Sequence, residues 1–326
     1  MNKSDIINEI LREYDLKQGI ALEKKQKETE KAYKECPELE DTDKKINELG
    51  LNSMRKILAD KENAAKLKQM FEKELENLNS KRKELIKAFK INPDYNKPVY
   101  ECEKCSDTGF SENGVRCTCF EEKIKKKLIE KSQMGNMLET DDFSKFNLSY
   151  YSDEQNSGGS PREIVSEALE CSKNFCADFE NEKYNLYFYG NTGLGKTFLS
   201  SIIARNVLNK GKTVKYARAT SIFTLYDDYK FNDYGLKEKI DELYNCELLV
   251  IDDLGTENIN KNGISFLFDL VNDRLINGKR MIINTNLDIA EFSQRYTVRL
   301  TSRIYENFRI FCFKGNDIRI KKLMEQ

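Results

Sequence analysis

Histidine is absent from the 326 residues of this chain, and its absence excludes several kinds of catalytic and metal site. Neither a Ser-His-Asp triad nor a Cys-His nucleophile can form, and any metal must be bound by cysteine or carboxylate ligands. A run of about 18 apolar residues and an apolar leader are also lacking, so we expect no membrane span and a cytoplasmic location. The nine cysteines are then expected to be thiols or metal ligands rather than disulfides.

A large excess of charge of either sign is lacking too. The 54 Lys and Arg residues nearly balance the 55 Asp and Glu residues, which leaves a net charge of -1. A globally basic nucleic-acid-binding protein is therefore excluded, although a local basic face is not. Charged residues make up 33% and hydrophobic residues 39% of the chain, a composition typical of a charge-rich globular protein with room for two domains, or three small ones.

The first part of the chain, residues 1–98, carries apolar residues at helical spacing. This spacing predicts a few long amphipathic helices that end before Pro93 and Pro98. Two interpretations stay open: a helical bundle or hairpin with solvated faces, or a helical arm that binds a partner. The set that shows the spacing is Phe71, Leu75, Leu78, Leu85 and Phe89.

Three further parts follow. Two cysteine pairs lie within residues 99–140, and residues 141–161 form a predicted linker that ends in a Gly- and Ser-rich stretch. In residues 162–326 short apolar runs alternate with helical stretches, which predicts an α/β fold with parallel strands and crossover helices. The predicted strands are Leu186–Tyr189, Val214–Ala217, Leu248–Ile251, Met281–Ile283 and Ile310–Phe313.

A phosphate-binding loop is predicted directly after the first of these strands. Its sequence fits the pattern G-x-x-x-x-G-K-[ST], and a helix-like stretch follows it up to Lys210. In such a loop backbone N–H groups surround the phosphates, the Lys196 side chain reaches the β- and γ-phosphates, and the Thr197 hydroxyl ligates Mg²⁺. The loop consists of Gly190, Asn191, Thr192, Gly193, Leu194, Gly195, Lys196 and Thr197.

Acidic and amide residues end two other predicted strands. We expect Asp252 to hold Mg²⁺, directly or through water, and Asp253 to orient or activate an attacking water molecule. At the end of the next strand a neutral amide can position that water without adding negative charge. Asn286 is the first choice for this role and Asn284 the second, while strand-end capping remains the alternative.

Together these elements resemble the AAA+ ATPases, and within them the DnaC and DnaI helicase loaders and the related IstB transposition ATPases. The resemblance covers about residues 140–326 and implies a P-loop parallel sheet that binds ATP and Mg²⁺. It implies that Lys196 and Thr197 are Walker A residues, and that Asp252 and Asp253 are Walker B residues. The motifs that carry it are Gly190–Thr197, Ile251–Gly255, Thr285–Asn286, Thr301–Ile304 and Gly315–Arg319.

The resemblance also assigns roles near the carboxyl end of the chain. Asn286 resembles the sensor 1 residue, Arg303 the arginine finger that contacts ATP on an adjacent protomer, and Arg319 the sensor 2 arginine. Arg303 follows Arg295 and Arg299 at four-residue spacing, which is also typical of an exposed helix face. The second Walker B acid is aspartate rather than glutamate, which implies slow hydrolysis. Seven residues follow Arg319, too few for a separate helical lid.

Single-stranded DNA binding and self-association through the ATPase domain are further implications of the resemblance. Basic groups for phosphates beside aromatic rings for bases have the composition that such binding needs. The aromatic members could equally belong to the core. The candidates follow the second predicted strand: Lys212, Lys215, Arg218, Tyr226, Tyr229, Lys230 and Phe231.

The two cysteine pairs have the spacing of a structural zinc site. Cys102 and Cys105 are separated by two residues, and Cys117 and Cys119 by one, with eleven residues between the pairs. Four thiolates suit tetrahedral Zn²⁺ and leave no open position for water. A redox pair at Cys102 and Cys105, or four free thiols, are the alternatives.

The sequence-based hypothesis is an ATP-dependent loader of the replicative hexameric DNA helicase, with Zn²⁺ in its amino-terminal region. Loaders of the DnaI kind resemble this layout, since a helicase-binding region with zinc precedes their ATPase domain. Stimulation of slow ATP hydrolysis by single-stranded DNA is expected. The alternatives are a transposition helper of the IstB kind, and a non-hydrolysing adaptor whose binding is gated by nucleotide.

Overall fold

Two compact units make up the chain in the computed structural model, which describes residues 3–59, 64–132, 134, 142–155, 159–232, 234–258 and 260–324. One unit joins Met1–Ile10 to Phe120–Gln326, and the other comprises Leu11–Cys119. The division into four parts at residues 98, 140 and 161 stays a prediction about which parts fold independently.

The strands of the first unit form a single parallel sheet, as the sequence predicted. They lie in the order β2-β3-β4-β1-β5, and every neighbouring pair is parallel. The carboxyl ends of β1, β3 and β4 therefore meet at one edge of the sheet. The strands are β1 (Asn185–Gly190), β2 (Val214–Arg218), β3 (Leu248–Leu254), β4 (Arg280–Thr285) and β5 (Phe308–Phe313).

Helices cover the sheet and build most of the remaining described chain. None of the described helices combines the length and the apolarity needed to cross a bilayer. The helices are α1 (Lys3–Glu35), α2 (Pro37–Ala59), α3 (Ala64–Ala88), α4 (Thr118–Lys131), α5 (Pro161–Ala177), α6 (Lys196–Asn209), α7 (Ala219–Asn232), α8 (Lys237–Asn245), α9 (Lys261–Ile276), α10 (Ile289–Arg295), α11 (Val298–Asn307) and α12 (Ile318–Met324).

Apolar strand residues are buried on both sides of the sheet, which explains their continuous apolar runs. In β3 the four residues Leu248–Ile251 have no exposed surface. A capping box formed by Ser160 and Glu163 fixes the start of α5, with Pro161 in the first turn. The α/β architecture predicted from the sequence is confirmed.

The second unit consists mainly of long helices, as the apolar spacing predicted. The predicted stripe is only partly buried, because Leu75 and Phe89 are exposed. Buried Asp43 on α2 accepts hydrogen bonds from Arg82 of α3 and from Tyr33 and Tyr95. This carboxylate therefore links α2 to α1, to α3 and to the segment that contains Tyr95. Its small core contains Ala32, Cys36, Leu39, Ile86, Ile91 and Tyr95.

Candidate functional site

The phosphate-binding loop connects the end of β1 to the start of α6. Gly190 has a φ of 127°, and a Cβ atom there would lie 2.0 Å from the carbonyl oxygen of Phe313 on neighbouring β5. Gly195, at the amino end of α6, has a φ of 86°. Only glycine fits both positions without strain. The loop ends at a helix amino terminus, where backbone N–H groups and the helix dipole favour an anion.

Lys196 holds this loop together through three hydrogen bonds. Its ammonium group donates hydrogen bonds to the carbonyl oxygens of Gly190 and Asn191 at 2.5 and 2.7 Å, and to Oδ1 of Asn286 at 3.0 Å. Burial lowers the pKa of Lys196 to about 8, although the nearby charges of Asp253 and Asp252 oppose the shift. The lysine is thus a buried cation bonded to neutral oxygens.

Asp252, at the end of β3, is held by neutral donors. It is 1% exposed, and its Oδ1 accepts from the Thr197 hydroxyl at 3.1 Å and from the Asn284 amide at 2.7 Å. Its Oδ2 accepts from the Tyr216 hydroxyl at 2.9 Å. Sequence analysis missed Tyr216, because nothing local to β2 shows that its hydroxyl meets β3.

Asp253 lies beside Asp252 but has a different environment. Its φ of 54° is unusual for a residue with a side chain, and the pairing of β3 with β4 is irregular between Ile251 and Leu254. Burial, and then the charge of Asp252, raises the pKa of the Asp253 carboxyl. A raised pKa in a half-buried carboxylate suits a group that accepts a proton.

The two asparagines at the end of β4 occupy different places. Asn286 lines the cavity beside the phosphate-binding loop and contacts Lys196. Asn284 is buried, where its Oδ1 accepts from the Ser200 hydroxyl at 2.9 Å while its amide donates to Asp252. The geometry therefore favours Asn286, the first choice of the sequence analysis, for contact with a ligand.

A cavity of about 600 Å³ lies beside the phosphate-binding loop, at the carboxyl edge of the sheet. This volume is in the range of small-molecule sites. Polar and charged groups that line it include Lys196, Asp252, Asp253, Asn286 and Arg319. The donor set fits a nucleotide with Mg²⁺, since cationic side chains and a helix amino terminus line the same cavity as two carboxylates and a hydroxyl.

Aromatic side chains line another part of the cavity. Phe146 stacks on Phe198 of α6 with 6.1 Å between ring centroids, and the Tyr151 hydroxyl donates to the Leu194 carbonyl at 2.7 Å. Phe146 directly follows the short 3₁₀ turn Phe143–Lys145, and Tyr151 directly follows the second turn, Leu148–Tyr150. These residues lie within the predicted linker, and sequence analysis did not anticipate that they pack on the phosphate-binding loop.

Two of the three arginines that follow β4, Arg295 and Arg303, have different contacts. Arg295 forms a 3.7 Å ion pair with buried Glu257, so a structural role is enough to explain its position. Arg303 on α11 is exposed, lies 3.5 Å from Glu306, and is not among the residues that line the cavity. Its position leaves it available to a second molecule.

Arg319 lies on α12 at the mouth of the cavity. Its side chain is 73% exposed and lies 3.4 Å from Asp317. The Ile318 N–H donates to the Gly193 carbonyl at 3.0 Å, so this segment is attached to the phosphate-binding loop. Of the two arginines assigned by resemblance, the structure brings Arg319 to the cavity and leaves Arg303 outside it.

The predicted DNA-binding residues do not form one surface. Lys215 is buried and forms a 2.7 Å ion pair with Glu242, and the Tyr226 ring stacks on Phe266 at 4.1 Å in the core. The prediction of a DNA contact is wrong for Lys215, which is buried in this ion pair, and the contacts of Tyr226 favour the core alternative that the sequence left open. Lys212 pairs with Glu180 and Glu247. Arg218, Tyr229 and Lys230 are exposed. The side chain of Phe231 lies outside the described residues.

The four cysteines form one cluster in the second unit. Their sulfur atoms all lie within 4.8 Å of one another, with 3.8 Å between Cys102 and Cys117 and 3.5 Å between Cys105 and Cys119. A tetrahedral Zn²⁺ with Zn–S bonds of about 2.3 Å requires sulfur separations of about 3.8 Å. The cluster therefore has the ligand set and close to the spacing of a Zn²⁺ site.

Local backbone structure explains how the pairs meet. Phe110 and Arg116 form an antiparallel bridge that turns the chain back between the pairs. Buried Asp107 accepts from the N–H groups of Glu101 and Cys102 at 2.8 and 2.9 Å. Outside the cysteines, the Tyr14 hydroxyl donates to the Cys119 sulfur at 3.0 Å, so α1 contributes a neighbouring contact that sequence analysis missed.

Comparison with known proteins agrees with this geometry. The family of IstB-like ATP binding proteins matches residues 143–325. The replicative helicase loader DnaC of Escherichia coli K12 is 27% identical over 148 residues, which are 44% of this chain and 57% of DnaC. The chromosomal replication initiator protein DnaA of Aliarcobacter butzleri RM4018 is 29% identical over 185 residues, 56% of this chain and 40% of DnaA.

Among solved structures, the crystal structure of DnaI has a TM-score of 0.45 and 18% identity, and the match covers 54% of this chain and 92% of that one. The matched region spans little more than half the length of the DnaC relative and less than half that of the DnaA relative. The family match covers the part of the chain that carries the phosphate-binding loop and the two aspartates.

Proposed function

The chain belongs to the IstB-like ATP binding protein family, in the DnaC/DnaI/IstB group of AAA+ ATPases, and from this we propose that it is an ATP-dependent loader of the replicative DNA helicase. Two observations support the proposal. Groups suited to nucleotide binding and hydrolysis surround one cavity, and 148 residues of the chain are 27% identical to a replicative helicase loader.

The phosphates of ATP bind to the loop from Gly190 to Thr197 in this proposal. Lys196 exchanges its bonds to Gly190, Asn191 and Asn286 for phosphate oxygens, and its buried position strengthens that attraction. Thr197 and Asp252 would hold Mg²⁺, whose charge would offset that of the phosphate oxygens. Phe146 and Tyr151 line another part of the same cavity, where they provide apolar surface.

The remaining polar groups act on the attacking water. Asp253 accepts its proton, because a half-buried carboxylate with a raised pKa is a suitable base. Asn286 positions the water and Arg319 contacts the γ-phosphate. Arg303 acts on the ATP of a neighbouring copy of the chain, since its own cavity lacks it. Hydrolysis is slow because the shorter aspartate replaces the glutamate typical of this position.

In this proposal, the second unit binds the helicase. Its helices and the cysteine cluster with Zn²⁺ form a separate compact unit, and the family match begins at residue 143, beyond it. A unit outside the ATPase region is what a partner-specific adaptor needs. Single-stranded DNA binds to the ATPase unit and stimulates hydrolysis, with Arg218 and Lys230 as its remaining exposed basic candidates.

Complex formation with the replicative helicase of the same organism tests the proposal. Native mass spectrometry of the full chain with the helicase, with and without ATP, is expected to detect a defined complex. Cys105→Ser is expected to weaken the complex, whereas Cys36→Ala, in the same unit but outside the cluster, preserves it. If no complex forms under any nucleotide, the loader proposal fails and a transposition helper is favoured. A complex without any phosphate release would favour a non-hydrolysing adaptor.

A further inference from the structure

The Tyr216 hydroxyl is the only described donor to one oxygen of the Asp252 carboxylate. Tyr216 lies on β2, is 5% exposed, and its hydroxyl lies 2.9 Å from Oδ2 of Asp252. The same hydroxyl is 3.5 Å from the Thr197 carbonyl oxygen. A phenol has one proton, so it donates to the nearer carboxylate and stands beside the first turn of α6.

All donors to Asp252 are uncharged. Thr197 and Asn284 occupy Oδ1 and Tyr216 occupies Oδ2. A lysine or arginine in direct contact would cancel the charge that a divalent cation needs, whereas neutral donors orient the carboxylate and leave its charge in place. Removal of one of them leaves a carboxylate oxygen buried without its partner, which is costly in a site that is 1% exposed.

The backbone of Tyr216 is fixed as well. It is paired with Val250 of β3 on one side, and on the other its N–H donates to the Ser132 carbonyl at 3.0 Å. The donor is therefore held in place by backbone contacts on both sides of β2.

We propose that Tyr216 is a positioning residue for the divalent cation: its phenol fixes the Asp252 carboxylate against the Thr197 hydroxyl and thereby raises the affinity for ATP with Mg²⁺ over ATP alone. This inference rests on the proposed ATP and Mg²⁺ binding. It extends that proposal to a residue that contacts neither phosphate nor metal and acts through Asp252.

The test compares Tyr216→Phe with a matched control on β1, which β3 and β4 separate from β2 in the sheet. Tyr187 is fully buried, and its hydroxyl has no hydrogen-bond partner among the described residues. Tyr187→Phe therefore removes an equally buried hydroxyl that orients nothing. The affinity of each full-length protein for a fluorescent ATP analogue is measured in EDTA and over a range of Mg²⁺ concentrations.

The wild type and Tyr187→Phe are expected to show the same gain in affinity on addition of Mg²⁺. Tyr216→Phe is expected to keep the affinity measured in EDTA, which shows that the site is folded. Its gain in affinity on addition of Mg²⁺ is expected to be about tenfold smaller than that of the wild type. Restored gain at higher Mg²⁺ concentration would support the positioning role.

Three outcomes overturn the inference. An unchanged gain in Tyr216→Phe would show that Asp252 needs no third donor. An increased gain would show that the phenol weakens the carboxylate as a ligand instead of orienting it. An equal loss with and without Mg²⁺ would indicate a structural role only. If the wild type itself binds no ATP analogue under either condition, the proposed function fails, and that result is distinct from the other three.

Discussion

The ammonium group of Lys196 donates a 3.0 Å hydrogen bond to Oδ1 of Asn286, and this contact joins the phosphate-binding loop after β1 to the end of β4. With the carbonyl oxygens of Gly190 and Asn191 as its other acceptors, the lysine is fully bonded before a ligand arrives. A phosphate must therefore displace neutral oxygens, and it releases Asn286 as it does so.

The lowered pKa of Lys196 predicts how ATP affinity depends on pH. Burial lowers this pKa to about 8 from the ordinary 10.5, so the free site loses its charge above pH 8, while bound phosphates favour the charged form. ATP affinity is expected to fall by up to about tenfold per pH unit above pH 8. Isothermal titration calorimetry from pH 7 to 9.5 measures it.

The same group has the opposite effect on the stability of the ligand-free protein. Between pH 8 and 10.5 the unfolded chain binds more protons at Lys196 than the folded protein does, so this residue's contribution to the free energy of unfolding rises with pH.

Lys196→Met is the control for the measurement of ATP affinity against pH, because this variant is expected to bind ATP weakly at every pH. A wild-type affinity that stays constant to pH 9.5 would contradict the role of Lys196.

Asp253→Asn is expected to separate ATP binding from hydrolysis. The amide keeps the size of the side chain but cannot accept a proton, so phosphate release should fall by about 100-fold or more. ATP affinity should stay within about twofold of the wild type, because Lys196 and Asp252 are untouched. Phosphate release is measured with an excess of single-stranded DNA. Hydrolysis at the wild-type rate would remove Asp253 from the mechanism.

Arg303 is predicted to act on a neighbouring copy of the chain. Its side chain is exposed and lies outside the cavity lining, so Arg303→Ala should bind ATP normally and hydrolyse it slowly. Mixing this variant with Asp253→Asn should restore part of the hydrolysis, since some interfaces then combine an intact Arg303 with an intact Asp253.

Arg299→Ala supplies the control for this experiment. Arg299 is exposed on the same helix, α11, and its loss should leave hydrolysis near the wild-type rate. The shared-site interpretation is abandoned if the mixture of Arg303→Ala and Asp253→Asn is no more active than the sum of its two components.

The cysteine cluster predicts one Zn²⁺ per chain. Cys105 is buried in the cluster, and Cys105→Ser should abolish zinc retention and lower the melting temperature of the second unit, because metal binding contributes folding free energy. Elemental analysis and the charge-transfer spectrum of the Co²⁺-substituted protein provide the measurements. Cys36→Ala, buried in the same unit outside the cluster, should retain the metal. Wild-type protein purified without bound metal would contradict the zinc assignment.

Local sequence predicted the parts of this fold and site that depend on neighbouring residues. The strands followed from continuous apolar runs such as Leu248–Ile251, and the phosphate-binding loop followed from glycines whose positive φ angles are intrinsic to the turn. The cysteine pairs followed from spacing. In each case the physical cause lies within a few residues, so no knowledge of tertiary packing was needed.

Contacts between distant segments could not be predicted in this way. Tyr216 meets Asp252 only because β2 and β3 pair in parallel with Arg218 opposite Asp252. Phe146 reaches Phe198 through tertiary packing of a segment that is typical of a linker in composition. Lys215 and Tyr226 had the composition of a DNA-binding surface, but Lys215 is buried in an ion pair with Glu242 and the half-buried Tyr226 ring stacks on Phe266.

Helicase loading onto closed circular single-stranded DNA tests the central claim most directly. A hexameric ring cannot thread onto a circle that has no end, so stable association of the helicase with the circle requires a loader. We predict that this protein with ATP raises the amount of helicase retained on the circle at least tenfold, and that Lys196→Met does not. Equal retention with and without the protein would contradict the account.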